Sequence, residues 1–157
     1  MKDANCIFCK IIDGALPSTK VYESDNVLAF LDVNPVEKGH VLVVPKRHWP
    51  TIADVPVSNS SDIRCAEELM YIMRVVAKAV NSSFADGVNI LQANGGCAGQ
   101  TVPHLHFHVI PRYGKEPVQP VWRSGAGKYS EDEERDIFAK RISEAVKVII
   151  AEEQIVI

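Results

Sequence analysis

The chain has 157 residues, 46% of them hydrophobic and 24% charged, with 17 Lys and Arg against 20 Asp and Glu for a formal net charge of −3 at pH 7. That length and mix suit one globular domain with a core of its own and exclude disorder, collagen or a coiled coil as a description of the whole. The mildly acidic balance, with no block of like charges, argues against a DNA-binding footprint or a membrane-surface role, yet leaves room for one nucleotide at a local site. No stretch reaches the length of a membrane span, and the opening MKDANCIFCK lacks an apolar signal core, so a cytoplasmic protein is expected.

In sequence order, Cys6 to Asp13 reads as an apolar turn or short helix closed by Asp13-Gly14, with Pro17 preventing its continuation. Val27 to Val33 and Val41 to Val44 are short, apolar and rich in β-branched residues, and the turn-like Asn34 to Gly39 between them predicts adjacent antiparallel strands. Between Asp62 and Asn81 the residues Ile63, Ala66, Leu69, Met70, Met73, Val76, Ala77 and Val80 recur every three or four positions, which predicts a helix capped by Ser60 or Ser61. A third strand is predicted over Val88 to Gln92, and a fourth from Pro103 to Ile110. Between them, three glycines in Asn94-Gly95-Gly96-Cys97-Ala98-Gly99 demand a tight backbone path.

The segment from Pro111 to Gly127, which carries Trp122, is rich in structure breakers and reads as irregular, suited to ordinary packing or to selecting substrate. Ser130 with Glu133 makes a capping box for a terminal helix whose apolar face holds Ile137, Phe138, Ile142, Ala145, Val146 and Ile149. No repeat or domain boundary interrupts the sequence. The reading is one α+β domain over 1–157, an antiparallel sheet with a main helix and a C-terminal helix, its tail starting at about 112.

The chemistry concentrates in His104-Leu105-His106-Phe107-His108-Val109, where three of the five histidines fall within five residues. A period of two puts three imidazoles on one strand face, about 6.6 Å apart, and turns Leu105, Phe107 and Val109 toward the helices. Alternating histidines can ligate zinc, or they can perform nucleophilic and proton-transfer chemistry, a neutral imidazole being a good nucleophile toward phosphorus. The preceding Gly-rich turn with Gln100-Thr101 favours the second use, because backbone amides and a hydroxyl can hold phosphate without a basic patch. Cys6-x-x-Cys9 has the spacing of half a zinc site, and on spacing alone it is also compatible with redox or inert cysteines. Cys65 and Cys97 read as reduced thiols with no need of a disulfide.

His104 to Ile110 resembles the signature of the histidine triad family, in particular its Hint-like branch. Cys6 to Ile12, Val27 to Val33, Gly39-His40 through Pro45-Lys46-Arg47-His48, and Gly99 to Val102 follow in that family's order. The resemblance implies a homodimer that joins two sheets into one, each subunit binding a purine nucleotide. It implies that His106 attacks the α-phosphorus to form a nucleotidyl-histidine, that His108 steadies the α-phosphate, that Thr101 and Gln100 contact phosphate or leaving-group atoms, and that His40 belongs to the network that fixes the ring of the nucleophile. Asp32 would accept the ribose hydroxyls, while Phe8, Ile11, Phe30, Val33 and Leu42 would line the base site, with Phe30 and Leu42 equally suited to the core. Gly99 would present backbone to the phosphate. The family's usual asparagine seven residues before the glutamine is Ala93 here, with Asn94 one position later as the candidate in its place.

The same resemblance implies a structural zinc held by Cys6, Cys9, His48 and His104, and no organic cofactor. The activity it implies is phosphoramidate or related nucleotidyl hydrolysis. A dinucleoside polyphosphate hydrolase and a nucleotide-binding regulatory or scaffold protein are the alternatives.

Overall fold

A computed structural model describes residues 3–114 and 127–153. The segment carrying Trp122 lies outside the described residues. The elements in order are α1 (Ile7–Ile12), β1 (Lys20–Glu23), β2 (Val27–Leu31), β3 (Val41–Pro45), α2 (Ser60–Ser83), β4 (Gly87–Leu91), β5 (Phe107–Arg112) and α3 (Asp132–Glu153). All strand pairings are antiparallel, in the order β1-β2-β3-β5-β4. The α+β architecture predicted from the sequence is the one formed.

Every residue of β2 and β3 is buried, because both faces of these central strands are covered. Val27, Ala29, Leu31, Val41 and Val43 pack with α2 and α3, together with Leu105, Phe107 and Val109. The alternate positions Leu28, Phe30, Leu42 and Val44 pack instead with Phe8, Cys9 and Ile11 of α1. One sheet face is thus closed by two long helices. The other is only partly closed by a six-residue helix, and the space left over becomes the site.

Several boundaries differ from the sequence reading for identifiable reasons. β1 escapes it because only Val21 of its four residues is buried, so no apolar pattern marks the strand. The fourth predicted strand begins later and runs through Pro111, whose missing N–H costs little there. The ladder with β3 is last registered at Val41 opposite Val109, and Pro111 lies beyond it, opposite Val88 of β4. The cap of α2 is Asn59, whose Oδ1 accepts from the Asp62 N–H at 2.8 Å, rather than Ser60 or Ser61. Ahead of α3 the Ser130 N–H and hydroxyl both donate to Glu134, each at 2.8 Å, so Glu134 takes the part expected of Glu133. Ile63 and Met70, expected on the buried face of α2, are exposed, and Cys65, Ile72, Val75 and Ala79 are buried instead. Among the described residues no helix is long and apolar enough to cross a membrane.

Candidate functional site

A cavity of ≈ 580 Å³ opens between α1, the C-terminal end of β2 and the start of β5, within the size range of small-molecule sites. Phe8 and Ile11 form one wall and Phe30 and Leu42 the floor, so the two residues that suit both core and base lining serve as both. Val33 stands at the rim, and Asp32, Gly99, Thr101, His106 and His108 supply the polar side. Ile7, Leu16, Pro17, Asn34 and Val102 also line the cavity. Sequence reasoning missed them because most are brought in by turns, where no periodicity marks a facing side chain.

The three alternating histidines divide between two environments. His106 and His108 face the cavity, their rings 4.8 Å apart, while His104 is fully buried against the cysteines. The hydrogen bonds determine where each ring carries its proton. His106 Nδ1 lies 2.6 Å from the His104 carbonyl oxygen, which can only accept, so Nδ1 is protonated and Nε2 keeps its lone pair. His40 Nδ1 accepts from the Val36 N–H at 3.2 Å, which leaves the His40 proton on Nε2 to be donated to His108 Nδ1 at 3.0 Å. His108 therefore carries its own proton on Nε2. The cavity has one ring with a nitrogen lone pair beside another that offers an N–H.

Burial keeps these rings neutral. It lowers the His106 pKa below the ordinary imidazole value, against the opposing pull of the His104 carbonyl and Asp32. Burial takes His108 down to about 4, aided by the charge of His106, and His40 down to about 3, aided by His108, Arg112 and His106. Asp32 is shifted upward by burial, with the Asn34 N–H at 2.8 Å and His106 opposing, and its Oδ2 lies 3.6 Å from His40 Nδ1. A carboxylate acceptor thus sits at the cavity wall near the two neutral imidazoles.

Positive φ at both Gly95 and Gly99 creates the tight path expected of the Gly-rich turn. Gln100 is buried beneath it. Its Oε1 accepts from the Gly95 N–H at 2.7 Å and its Nε2 donates to the Pro50 carbonyl at 2.6 Å. Asn94 accepts from the Ile52 N–H at 2.9 Å and bonds to Gln92. Neither side chain is among those lining the cavity, whereas Gly99 and Thr101 are. Gln100 and Asn94 here tie the turn to the segment after β3.

Beside the nucleotide-sized cavity, the ligand atoms of Cys6, Cys9, His48 and His104 lie within 4.8 Å of one another. Cys6 Sγ is 3.5 Å from His104 Nδ1, Cys9 Sγ is 3.5 Å from His48 Nδ1, and Cys9 Sγ is 3.7 Å from His104 Nδ1. Tetrahedral bonds of zinc to sulfur and nitrogen place those atoms about 3.5 Å apart, so the donor set could coordinate such an ion without rearrangement. The far nitrogen of His104 donates to the Pro45 carbonyl at 2.9 Å, the support expected behind a metal-binding imidazole. All four cysteines are free thiols. Cys65 is buried, which pushes its pKa up to about 11, and Cys97 is exposed.

A sheet whose strand β5 is led in by alternating histidines, two of them facing an apolar cavity lined by the carboxylate of Asp32, defines a histidine triad site. The protein belongs to the HIT family, its residues 13–115 matching the HIT domain. It is 42% identical over 144 residues to the protein hit of Bacillus subtilis, covering 88% of this chain and 95% of that one. Over 112 residues it is 41% identical to an adenosine 5′-monophosphoramidase of Schizosaccharomyces pombe, covering 71% of this chain and 77% of the relative. A zinc-bound histidine triad family protein from Mycobacterium smegmatis has a similar structure, with a TM-score of 0.74 at 29% identity over 94% of this chain and 97% of the other.

Proposed function

We propose that the protein is a Hint-like hydrolase that cleaves a bond at the α-phosphorus of a purine nucleotide, with adenosine phosphoramidates as the favoured substrate class. The observation that carries this reading is the proton placement: His106 offers a nitrogen lone pair to the cavity while His108 offers an N–H. His106 Nε2 attacks phosphorus, the nitrogen–phosphorus bond to the ring forms, and the bond to the leaving amine breaks. The amine departs with a proton drawn from solvent through the imidazole network. Water then attacks the nucleotidyl-histidine, releasing the nucleoside monophosphate and restoring the ring.

His108 Nε2–H hydrogen-bonds the phosphate as charge shifts onto its oxygens, and Thr101 adds a hydroxyl on the same side. Asp32 accepts from the ribose hydroxyls. The base lies between Phe8, Ile11, Phe30 and Leu42, held by apolar contact. Gln100 and Asn94 act through the turn that presents Gly99 and Thr101. The likeness to a monophosphoramidase supports this choice of leaving group.

Cys6, Cys9, His48 and His104 would hold a structural zinc, a reading supported by their separations and by the likeness to a zinc-bound relative. Four protein ligands would leave no position for substrate, and the ion would secure α1 against the segment that carries His106 into β5. A homodimer is the proposed assembly. Supporting it, β4 is at the sheet edge with Ile90 and Leu91 exposed, and Ile63 and Met70 of α2 are exposed as well.

The deciding experiment is turnover of adenosine 5′-phosphoramidate by the wild type and by His106→Ala, with mass analysis for a nucleotidyl adduct. The expected result is complete loss of hydrolysis in the variant with nucleotide binding retained, and an adduct on His106 in trapped wild type. Wild-type turnover by His106→Ala would refute the nucleophile. Cleavage of diadenosine polyphosphate but not of the phosphoramidate would transfer the reading to that substrate class.

A further inference from the structure

The loop from Pro35 to Gly39, between β2 and β3, connects two residues of the site, Asp32 and His40. Its own hydrogen bonds set His40: the Asp32 N–H donates to the His40 carbonyl at 3.0 Å and the His40 N–H to the Glu37 carbonyl at 3.1 Å. The Val36 N–H holds the His40 ring. A shift of this loop therefore moves both the carboxylate and the imidazole behind His108.

Residues that follow 13–115, the range matched by the HIT domain, hold the outside of that loop together with Phe84 and with Tyr113, whose hydroxyl donates to the Lys38 carbonyl at 2.7 Å. The Gly127 N–H donates to the Pro35 carbonyl at 3.1 Å, and a Cβ at Gly127 would fall 2.3 Å from the Glu37 Cα, so backbone passes directly over backbone. The Gly39 N–H donates to the Tyr129 hydroxyl oxygen at 2.8 Å. A Cβ at Gly39, where φ is +89°, would meet the Phe84 ring at 2.7 Å and Phe138 of α3 at 3.2 Å. Lys38 pairs with Glu134 of α3. The helix is itself anchored by Ala139, Ile142, Val146 and Ile149, all buried in the core shared with α2.

We infer that the segment from Gly127 into α3 is a clamp that sets the ribose-binding geometry of the site, with Tyr129 as a positioning residue acting on Asp32 and His40 through the Gly39 N–H. This inference rests on the reading of Asp32 as the ribose acceptor. The contacts from Gly127 and Tyr129 are made to loop backbone, which is what orients a neighbouring side chain, and neither residue lines the cavity. Tyr129 keeps its ring against Phe138, with centroids 5.6 Å apart, so its hydroxyl can be removed without emptying the packing.

The test is calorimetric binding of AMP and of 2′,3′-dideoxy-AMP to the full-length protein, as wild type and as Tyr129→Phe. The wild type is expected to prefer AMP. Tyr129→Phe should weaken AMP binding by about threefold to tenfold, the scale of one lost hydrogen bond, while the dideoxy nucleotide changes by less than about twofold. A general loss of stability would weaken both ligands alike, and equal weakening or an unchanged preference overturns the clamp. A wild type with no preference for AMP overturns the ribose reading instead, and the clamp with it. If Tyr129→Phe does not fold, Glu134→Gln, which breaks the partly exposed pair with Lys38, provides the same comparison: a reduced preference supports the clamp and an unchanged one overturns it.

Discussion

The ring of His106 is oriented by the backbone of His104, Nδ1 to carbonyl oxygen at 2.6 Å, while the His104 ring faces the thiols of Cys6 and Cys9 at 3.5 and 3.7 Å. The side chain that would attack substrate and the cluster that would hold a metal are therefore two residues apart and linked through the His104 carbonyl. Phe8 of α1 reinforces the link, its ring edge-on to both His104 and His106 at centroid distances of 5.9 and 5.2 Å. Whatever fixes α1 and His104 also fixes the ring of His106.

Cys6→Ser should accordingly lose bound zinc and several degrees of Tm, because binding energy at a structural site is folding energy. Turnover should fall along with the metal. Metal analysis of the purified wild type and variant, paired with thermal unfolding, checks this; equal metal content in the two would remove Cys6 from the ligand set.

Stability should depend on pH in the range where histidines titrate. Burial depresses the folded-state pKa of His40 to about 3 and of His108 to about 4, whereas both titrate near about 6.5 when unfolded. Below that value the unfolded state binds more protons, so the stability held by the neutral rings is present above about pH 6.5 and is lost as the pH falls toward the folded values. Tm measured between pH 7.5 and 5 should decline before the carboxylates begin to titrate. His40→Asn should be less stable at pH 7.5 and show the shallower decline. A flat profile in the wild type would contradict the burial argument.

Leu105 separates His104 from His106 and is only 1% exposed, facing the core on the helix side. Leu105→Ala should cost about 2–5 kcal/mol of unfolding free energy, the range for emptying a packed leucine site. Urea denaturation reads this directly, and a cost below about 1 kcal/mol would mean that the alternation does not anchor the histidine face in the core.

Ile90 lies on the edge strand β4 and is 46% exposed in the single subunit. Ile90→Glu should convert the proposed homodimer to monomer in sedimentation velocity with little loss of secondary structure, because a charge at an exposed edge opposes strand pairing. A wild type that sediments as a monomer at all accessible concentrations would rule out the dimer.

The amino-acid sequence determined what depends on local period and local chemistry. Strict alternation over His104 to Val109 put Leu105, Phe107 and Val109 into the helix-side core, and the three-to-four spacing between Asp62 and Asn81 placed α2, though not which of its apolar residues would be covered. The glycine spacing between Gly95 and Gly99 marked a turn that does require positive φ. The tertiary structure decided what depends on residues distant in the sequence. It separated His104 from its two companions by setting it against Cys6, and it turned Gln100 and Asn94 into the loop beneath the turn. It also brought Leu16, Pro17 and Val102 to the cavity and laid Tyr129 on Gly39. The face a side group takes follows from backbone period, which is written locally. Its hydrogen-bond partner, and hence the nitrogen on which an imidazole carries its proton, follows from which distant groups the packed sheet and helices bring within about 3 Å.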